Sequence, residues 1–395
     1  MKRKIIMYKL EPFIFIAIFS LAFWYLGSVM GVANFLNTAF NTAFKLLTET
    51  VWYLMAITVL AGAFGAMMSE FGVVRILETI LAPLIRPLFN LPGVAALGGF
   101  ITFFSDNPAI ITLTKEKKFA AYFKKYQFLS LTNFGTAFGM GMIVLTFMFS
   151  NGYFISTIIG LFAAMIGGVI SVRLFQKFIR KKLIEEGDDE KSENEKNNLD
   201  TNSETTINKM MNELQHNGTI IERILNSILN GGKQGVEIGL AIIPGVLIIS
   251  TIVFMFSKGA GPDGYSGAAF EGVPLITKIG DFFSWFFKYA FGFNDGQFIA
   301  FPITALGSVG AALALLKNFI NDSATIITGN EIAVFTAIGL CWSGYISTHT
   351  AMMDALGYRK FTSYALISHT IGGIVAGIIA HWLFVLIDIF YSGIK

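Results

Sequence analysis

Residues 103–112 read Phe103-Phe104-Ser105-Asp106-Asn107-Pro108-Ala109-Ile110-Ile111-Thr112, and residues 319–328 read Phe319-Ile320-Asn321-Asp322-Ser323-Ala324-Thr325-Ile326-Ile327-Thr328. Five of the ten positions are identical. At the same offset, Ala95-Ala96-Leu97 matches Ala311-Ala312-Leu313. Apolar triplets recur by chance in apolar chains. An aspartate flanked by Ser and Asn within an apolar run recurs far less easily, so the match predicts an internal duplication with Asp106 equivalent to Asp322. Pro108 has no N–H and disfavours helix at Asn107. Ser105–Pro108 is therefore expected to break a helix.

The surrounding chain is built for a bilayer. Of 395 residues, 54% are hydrophobic and only 14% charged, where soluble domains carry about a quarter. Mean hydropathy is +0.63. Apolar runs fall near 13–35, 51–70, 94–113, 126–149 and 153–173, then near 235–257, 297–316, 325–346 and 361–390. Each is of the order needed to cross ~30 Å of hydrocarbon. The shorter, charged segments 76–90 and 275–291 read as half-helices or first arms of re-entrant hairpins, tolerated where protein or water satisfies their backbone. Lys2, Arg3 and Lys4 precede a first run about twice as long as a signal-peptide core, which predicts a retained span.

Lysine and arginine placement orients the spans. Loop 115–125 holds five lysines against one acid, segment 173–182 holds five basic residues and no acid, and loop 347–360 ends in Arg359-Lys360. These are expected on the cytoplasmic side. The uncharged turn 150–152 and the Gly-rich loop 258–274 are expected outside. Each half then reads as span, hairpin-like pair, span, span, with opposite polarity. Segment 185–213, with ten acids and three lysines, has no apolar periodicity. We expect 183–218 to be poorly ordered and cytoplasmic, followed by a short interfacial helix over 219–233. Pro244-Gly245 is expected to kink its span. The fold class is thus an all-α polytopic membrane protein of two inverted-topology repeats with broken or re-entrant helices and one extra N-terminal span. The divisions are 1–49 (first span and loop), 50–175 (first repeat), 176–234 (linker and interfacial helix) and 235–395 (second repeat).

At these residues the chain resembles the nucleoside-recognition, or Gate, domain shared by concentrative nucleoside transporters, ferrous-iron permeases and spore-maturation membrane proteins. The carriers are the Gly-rich broken helix and the Ser105-Asp106-Asn107-Pro108 break, over roughly 50–175 and 235–390. The resemblance implies a transport fold and, through the family name, a nucleoside-like solute. No residue in the sequence reads a base or a ribose.

Asp106 lies nine residues before Lys115, so a helix would place it ~13 Å from the charged edge, near the midplane. An ionised group there costs about 2.5–3.5 kcal/mol on insertion scales and needs a partner or a wet site. Asp106 and Asp322 are the candidates for a monovalent cation. With Ser105, Asn107, Asn321 and Ser323 they are expected to line a polar cavity between the repeats. The structural alternative is that each aspartate caps the following half-helix. A second polar layer comprises Thr132, Asn133 and Thr136, then Ser343, Ser347, Thr348, His349, Thr350 and Asp354. Asn133, Thr136, Ser343, Ser347 and His349 join the candidate solute contacts, with loop residues at the cytoplasmic edge as the other reading of His349 and Asp354. His369, eight residues into its span, is the candidate proton relay, with a packing histidine as the alternative. Cys341 is the only cysteine, so no intramolecular disulfide forms.

The chain carries no HExxH, no GxSxG and no GxxxxGK[ST]. An enzyme or a nucleotide-driven pump is therefore not expected. The expectation is a secondary transporter of a small polar solute in the bacterial cytoplasmic membrane, with its N-terminus and the 176–234 linker cytoplasmic and its C-terminus outside. No cofactor is expected beyond Na+ or H+ coupling. The bilayer and the solute are the expected partners, nucleic acid is not, and self-association is left open. A non-transporting signalling or assembly membrane protein is the alternative.

Overall fold

The computed structural model describes residues 2–115, 117–185 and 219–390. Of the segment expected to be poorly ordered, 186–218 lies outside the described residues, and 183–185 complete a long helix. The chain begins with α1 (Lys2–Met30), then α2 (Val32–Lys45), which runs through a π-helical turn into α3 (Trp52–Glu70). Next come α4 (Val73–Phe89), α5 (Ala95–Phe104), α6 (Ala109–Thr114) and α7 (Lys117–Ala120). A broken span follows as α8 (Lys125–Thr136) and α9 (Gly141–Ser150), then α10 (Phe154–Glu185).

The second half opens with α11 (Ile220–Pro244), a π-helical stretch over Gly245–Ser250, and α12 (Thr251–Ser257). Two eight-residue helices, α13 (Leu275–Phe282) and α14 (Ser284–Phe291), precede a hairpin of α15 (Ala300–Gly307) and α16 (Val309–Asn321). A second broken span, α17 (Gly329–Trp342) and α18 (Tyr345–Ala355), leads to α19 (Thr362–Phe390). Among the described residues, six helical stretches are long and apolar enough to cross a membrane.

Contacts sort the helix termini into two ends. At one, Arg223 pairs with Glu70 at 2.7 Å, and Gln127 donates to the Asn90 carbonyl at 2.7 Å. There too, Lys125 sits over the Tyr358 ring and Arg180 over Tyr126. At the other, Tyr53 bonds Ser150 at 3.0 Å, Asn330 donates to the Phe291 carbonyl at 3.0 Å, and Lys258 pairs with Asp322. The basic segments thus gather at one end. In the first half α3 runs toward that basic end, the α5–α7 hairpin starts and finishes there, α8–α9 leaves and α10 returns. In the second half α11–α12 leaves the basic end, the α15–α16 hairpin starts and finishes at the far end, α17–α18 returns and α19 leaves. The same order of elements is traversed with reversed polarity.

Three expectations need correction. Segments 76–90 and 275–291 are not hairpin arms. Each has both termini at one end of the bundle, so α4 and α13–α14 lie across it, and the hairpins are the Gly-rich runs themselves. The α5 helix has 10 residues, about 15 Å, half a bilayer core. The chain then reverses, since Ile110 packs on Gly98. Phe298 and Phe319, 5.8 Å apart, record the same reversal in α15–α16. Secondly, 219–233 is no separate interfacial helix. It is the first part of the rod that continues past Pro244, and Gly231 meets the Gly62 carbonyl of α3 so closely that a Cβ would lie 2.3 Å from it. Small residues bring these backbones together.

The third concerns the repeat register. In element order, the counterpart of the Ser105–Pro108 tip is Gly307-Ser308, where α15 meets α16. Asp322 instead closes the far end of α16. The matched decapeptides therefore occupy different places in the two repeats.

Candidate functional site

Four backbone interruptions meet near the middle of the bundle, and each has a local cause. At the first tip, Ser105 leaves helical geometry at φ −132°, ψ −125°. Asp106 Oδ1 accepts from the Asn107 amide at 2.7 Å, and the Asp106 carbonyl accepts from Ala109 at 3.0 Å. The Ser105 hydroxyl turns back to the Ile101 carbonyl. At the second tip, Ser308 is extended and its hydroxyl caps the start of α16 by accepting from Ala311 at 3.2 Å. The α8–α9 break ends at Met140 with φ 56°, and the α17–α18 break at Ser343 and Gly344 with φ 39° and 74°. Left-handed backbone favours glycine at Gly344.

These interruptions hold one another. Asn107 Nδ2 donates to the Ser343 carbonyl at 2.7 Å, and the Ser343 hydroxyl donates to the Gly139 carbonyl at 2.9 Å. The Gly344 amide donates to the Ala305 carbonyl at 2.9 Å. Asn107 lies so near the α8–α9 break that a Cβ on Gly139 would stand 1.5 Å from its Oδ1. Asn107 Oδ1 is buried and, among the described residues, accepts no hydrogen bond.

A cavity of about 460 Å³ opens between these breaks and α11. Its polar lining is Asp106, Glu237, Ser308, Ser343, Ser347 and Thr348, with no lysine or arginine among the described residues of the wall. The half-helix starting at Ser308 directs its N-terminus at the same space, a favourable place for negative charge. Among the described residues, no three His, Cys, Asp or Glu side chains cluster as a polydentate metal site requires.

The predicted residues divide into three places. Asp106, Ser343 and Ser347 line the cavity, with Ser105 and Asn107 in the tip that carries Asp106. Asn133, Thr136, His349 and His369 sit behind the wall in a fully buried polar network. There Asn133 contacts Ser171 at 2.9 Å and Ser368 at 3.0 Å, and His349 contacts Asn133 at 3.2 Å. His349 is thus buried in a helix rather than at a loop edge. Asn321, Asp322 and Ser323 are elsewhere. Asp322 pairs with Lys258 at 2.5 Å, beyond the last turn of the 13-residue helix that begins at Val309. That length is about 20 Å, so Asp322 does not join Asp106 in a shared cation site. The Lys258 hydrogen bond holds the Asp322 carboxyl below its ordinary value, against the opposing effect of partial burial.

Sequence reasoning passed over Ser308, Glu237 and the two helix interruptions at 137–140 and 343–344. Gly307-Ser308, Gly139-Met140-Gly141 and Ser343-Gly344 were their local signals. Glu237 is the one acid in the 235–257 run and lies only two residues inside its start.

No family model matches the chain. Over 124 residues it is 29% identical to the uncharacterized protein BpOF4_10220 of Alkalihalophilus pseudofirmus, a stretch covering 30% of this chain and 26% of that protein's length. Among solved structures, the fold is similar to the concentrative nucleoside transporter CNTnw in an inward-facing substrate-bound state. The TM-score is 0.53 at 12% identity, over 85% of this chain and 79% of that one. A CNTnw variant in its intermediate 2 state gives a TM-score of 0.52 at 13% identity, over 87% and 81%. At these identities the likeness is one of fold.

Proposed function

We propose that this membrane protein is a secondary transporter of a small polar solute, bound in the cavity between the two hairpin tips. The observation that carries this reading is the convergence of four helix interruptions, from both inverted halves, on one polar cavity. Such interruptions free backbone groups that are tolerable in a membrane only where protein or a solute satisfies them. Rocking of the repeat over 50–175 against that over 235–395 would expose the cavity alternately to each side.

The cavity's charge narrows the solute. Asp106 and Glu237 face it without a basic residue among the described wall residues, and Ser308, Ser343, Ser347 and Thr348 add hydroxyls. A solute rich in hydrogen-bond donors, or one that enters with Na+ or H+, complements this lining. The Gate-domain resemblance and the fold of CNTnw support nucleosides as the first class to assay. The bacterial cytoplasmic membrane, with α1 entering from the cytoplasm and α19 ending outside, is the proposed setting.

The test is uptake into proteoliposomes from a panel of labelled nucleosides and small amines, with imposed Na+ and pH gradients. Gradient-driven accumulation that is lost in Asp106→Asn supports the reading. Absence of uptake and of saturable ligand binding across the panel favours the non-transporting alternative.

A further inference from the structure

Hydrogen-bond direction shows what the wall of the central cavity can offer a solute. The Ser343 hydroxyl donates to the Gly139 carbonyl at 2.9 Å. The Ser347 and Thr348 hydroxyls both donate to the Gly344 carbonyl at 3.3 Å. A hydroxyl has one hydrogen, so all three turn only lone pairs to the cavity. Asp106 accepts from the Asn107 amide through Oδ1, and its Oδ2 takes no partner among the described residues. Glu237 has neither a hydrogen-bond nor an ion-pair partner among them, and Lys233, one turn away on α11, forms no ion pair with it. Ser308 is the exception, since its hydroxyl accepts from Ala311 and keeps its own hydrogen. The wall is thus mostly acceptors. Its two carboxylates carry two negative charges, and the N-terminus of α16 returns only about half of one.

The two carboxylates stand at different depths. Glu237 is fourteen residues beyond Arg223, so it lies about 21 Å along α11 from the basic end. Gly245 is eight residues further, about 12 Å, and meets the second tip, where a Cβ on it would stand 2.7 Å from Ser308 Oγ. Asp106 belongs with the tips, because its neighbour Asn107 bonds Ser343 and Gly344 abuts Gly307. Asp106 therefore marks the deep end, and Glu237 stands about two helical turns nearer the basic end. Along α11 the interval is filled by Ile238, Ala241 and Ile242, and Met140 and Val309 add further apolar wall. Among the described residues no aromatic ring and no side-chain amide lines the cavity. Nothing there stacks on a nucleobase or reads its edge.

We propose that the solute of this cavity is a short linear diamine, with one ammonium group held by Asp106 at the deep end and the other by Glu237 toward the basic end. An ammonium has three donors and no acceptor, which suits a wall of lone pairs. The methylenes between the two groups suit the apolar interval. Two positive charges balance the two carboxylates, which a neutral nucleoside would leave without a counter-charge in a partly dehydrated site. Glu237 is then the residue that selects a diamine over a monoamine. This narrows the transporter reading and rests on it for the solute's passage, while binding itself does not depend on passage.

The experiment is isothermal titration of the full-length protein in phosphatidylcholine nanodiscs with diaminobutane, butylamine and uridine, empty nanodiscs serving as the blank. Diaminobutane should bind roughly tenfold tighter than butylamine or more, the worth of one further charged hydrogen bond. Glu237→Gln should bring diaminobutane down to the butylamine level and leave butylamine within about twofold. Asp106→Asn should weaken both amines. Lys233→Gln should leave the preference for the diamine in place. Equal binding of the two amines, or an unchanged preference in Glu237→Gln, would overturn the proposal. If Glu237→Gln does not accumulate, the straight-chain series from diaminopropane to diaminooctane decides. Affinity that peaks at one chain length supports two fixed stations, and a flat series overturns them. Proteoliposome uptake separates this proposal from the transporter reading. Saturable uridine uptake by a protein that binds no diamine sinks the diamine and leaves the transporter. Diamine binding without uptake or exchange does the reverse.

Discussion

The two hairpins occupy equivalent places in the inverted repeats, yet their chemistry is divided differently. The first carries its carboxylate at the tip, where Asp106 faces the cavity. The second carries a capping serine at the tip, and its carboxylate lies at the base, paired with Lys258. A shared Phe-x-x-Asp-x-x-x-Ile-Ile-Thr pattern marks positions about 20 Å apart along the hairpin axis in the two halves. Inverted repeats conserve the path of the backbone. Side-chain chemistry can be placed asymmetrically along it, because one site between two halves needs only one carboxylate tip.

The sharpest way to break this comparison is at the joints. Gly139→Ala drives a methyl into Asn107 Oδ1, so the first tip must move. We expect a loss of about 3 kcal/mol or failure to accumulate, read by thermal unfolding in detergent. Gly344→Ala, strained at φ 74° but with its nearest atom 3.0 Å away, should cost about 1–2 kcal/mol. Equal losses would mean that the two tips are equally constrained.

The next effect is functional. Asp106→Asn should lower solute or ion affinity by roughly 10-fold to 100-fold while preserving the fold, since a charged hydrogen bond is worth ~1.5–3 kcal/mol. Asp322→Asn should leave affinity within about twofold, because a carboxylate at the hairpin base cannot reach the cavity. Equal effects in ligand-binding assays would restore the symmetrical two-aspartate site. Ser308→Ala is smaller again: loss of the cap should cost about 1 kcal/mol of stability and a few-fold in affinity. A silent Ser308→Ala would make the second tip a passive wall.

The smallest effect is at the Lys258–Asp322 pair, whose side chains are 23% and 29% exposed. Such pairs are worth up to ~1 kcal/mol. Asp322's carboxyl is held low in the folded state. The pair's contribution is therefore complete above the unfolded carboxylate value of ~3.9 and fades as pH falls through the lowered folded value. In Lys258→Met that acid-side loss should shrink, measured as unfolding midpoint against pH. An unchanged profile would exclude the pair as a contributor.

Much of the architecture was legible in the chain because bilayers impose one-dimensional rules. Apolar run length reports spans, and lysine and arginine counts report a common end. These placed the reversal of polarity between the halves and the break at Pro108. Hairpins were harder to see. Ten apolar residues followed by a break and six more look like one crossing until Ile110 is found against Gly98. The breaks at 137–140 and 343–344 lack proline, and they depend on positive-φ residues stabilised by partners more than 200 positions away, such as Gly139 for Ser343.

The sequence by itself determined that this protein lives in a membrane, is all helical, and is folded from two inverted halves with an intramembrane carboxylate at Asp106. Those are consequences of transfer energy and local backbone chemistry, which each residue carries wherever it sits. Only the tertiary structure decided that Asp106 shares its cavity with Glu237 and Ser308 instead of Asp322. It alone placed Asn133, His349 and His369 in one buried circuit behind that cavity. Such groupings arise from which helices cross, and a short repeated motif holds no information about the crossing.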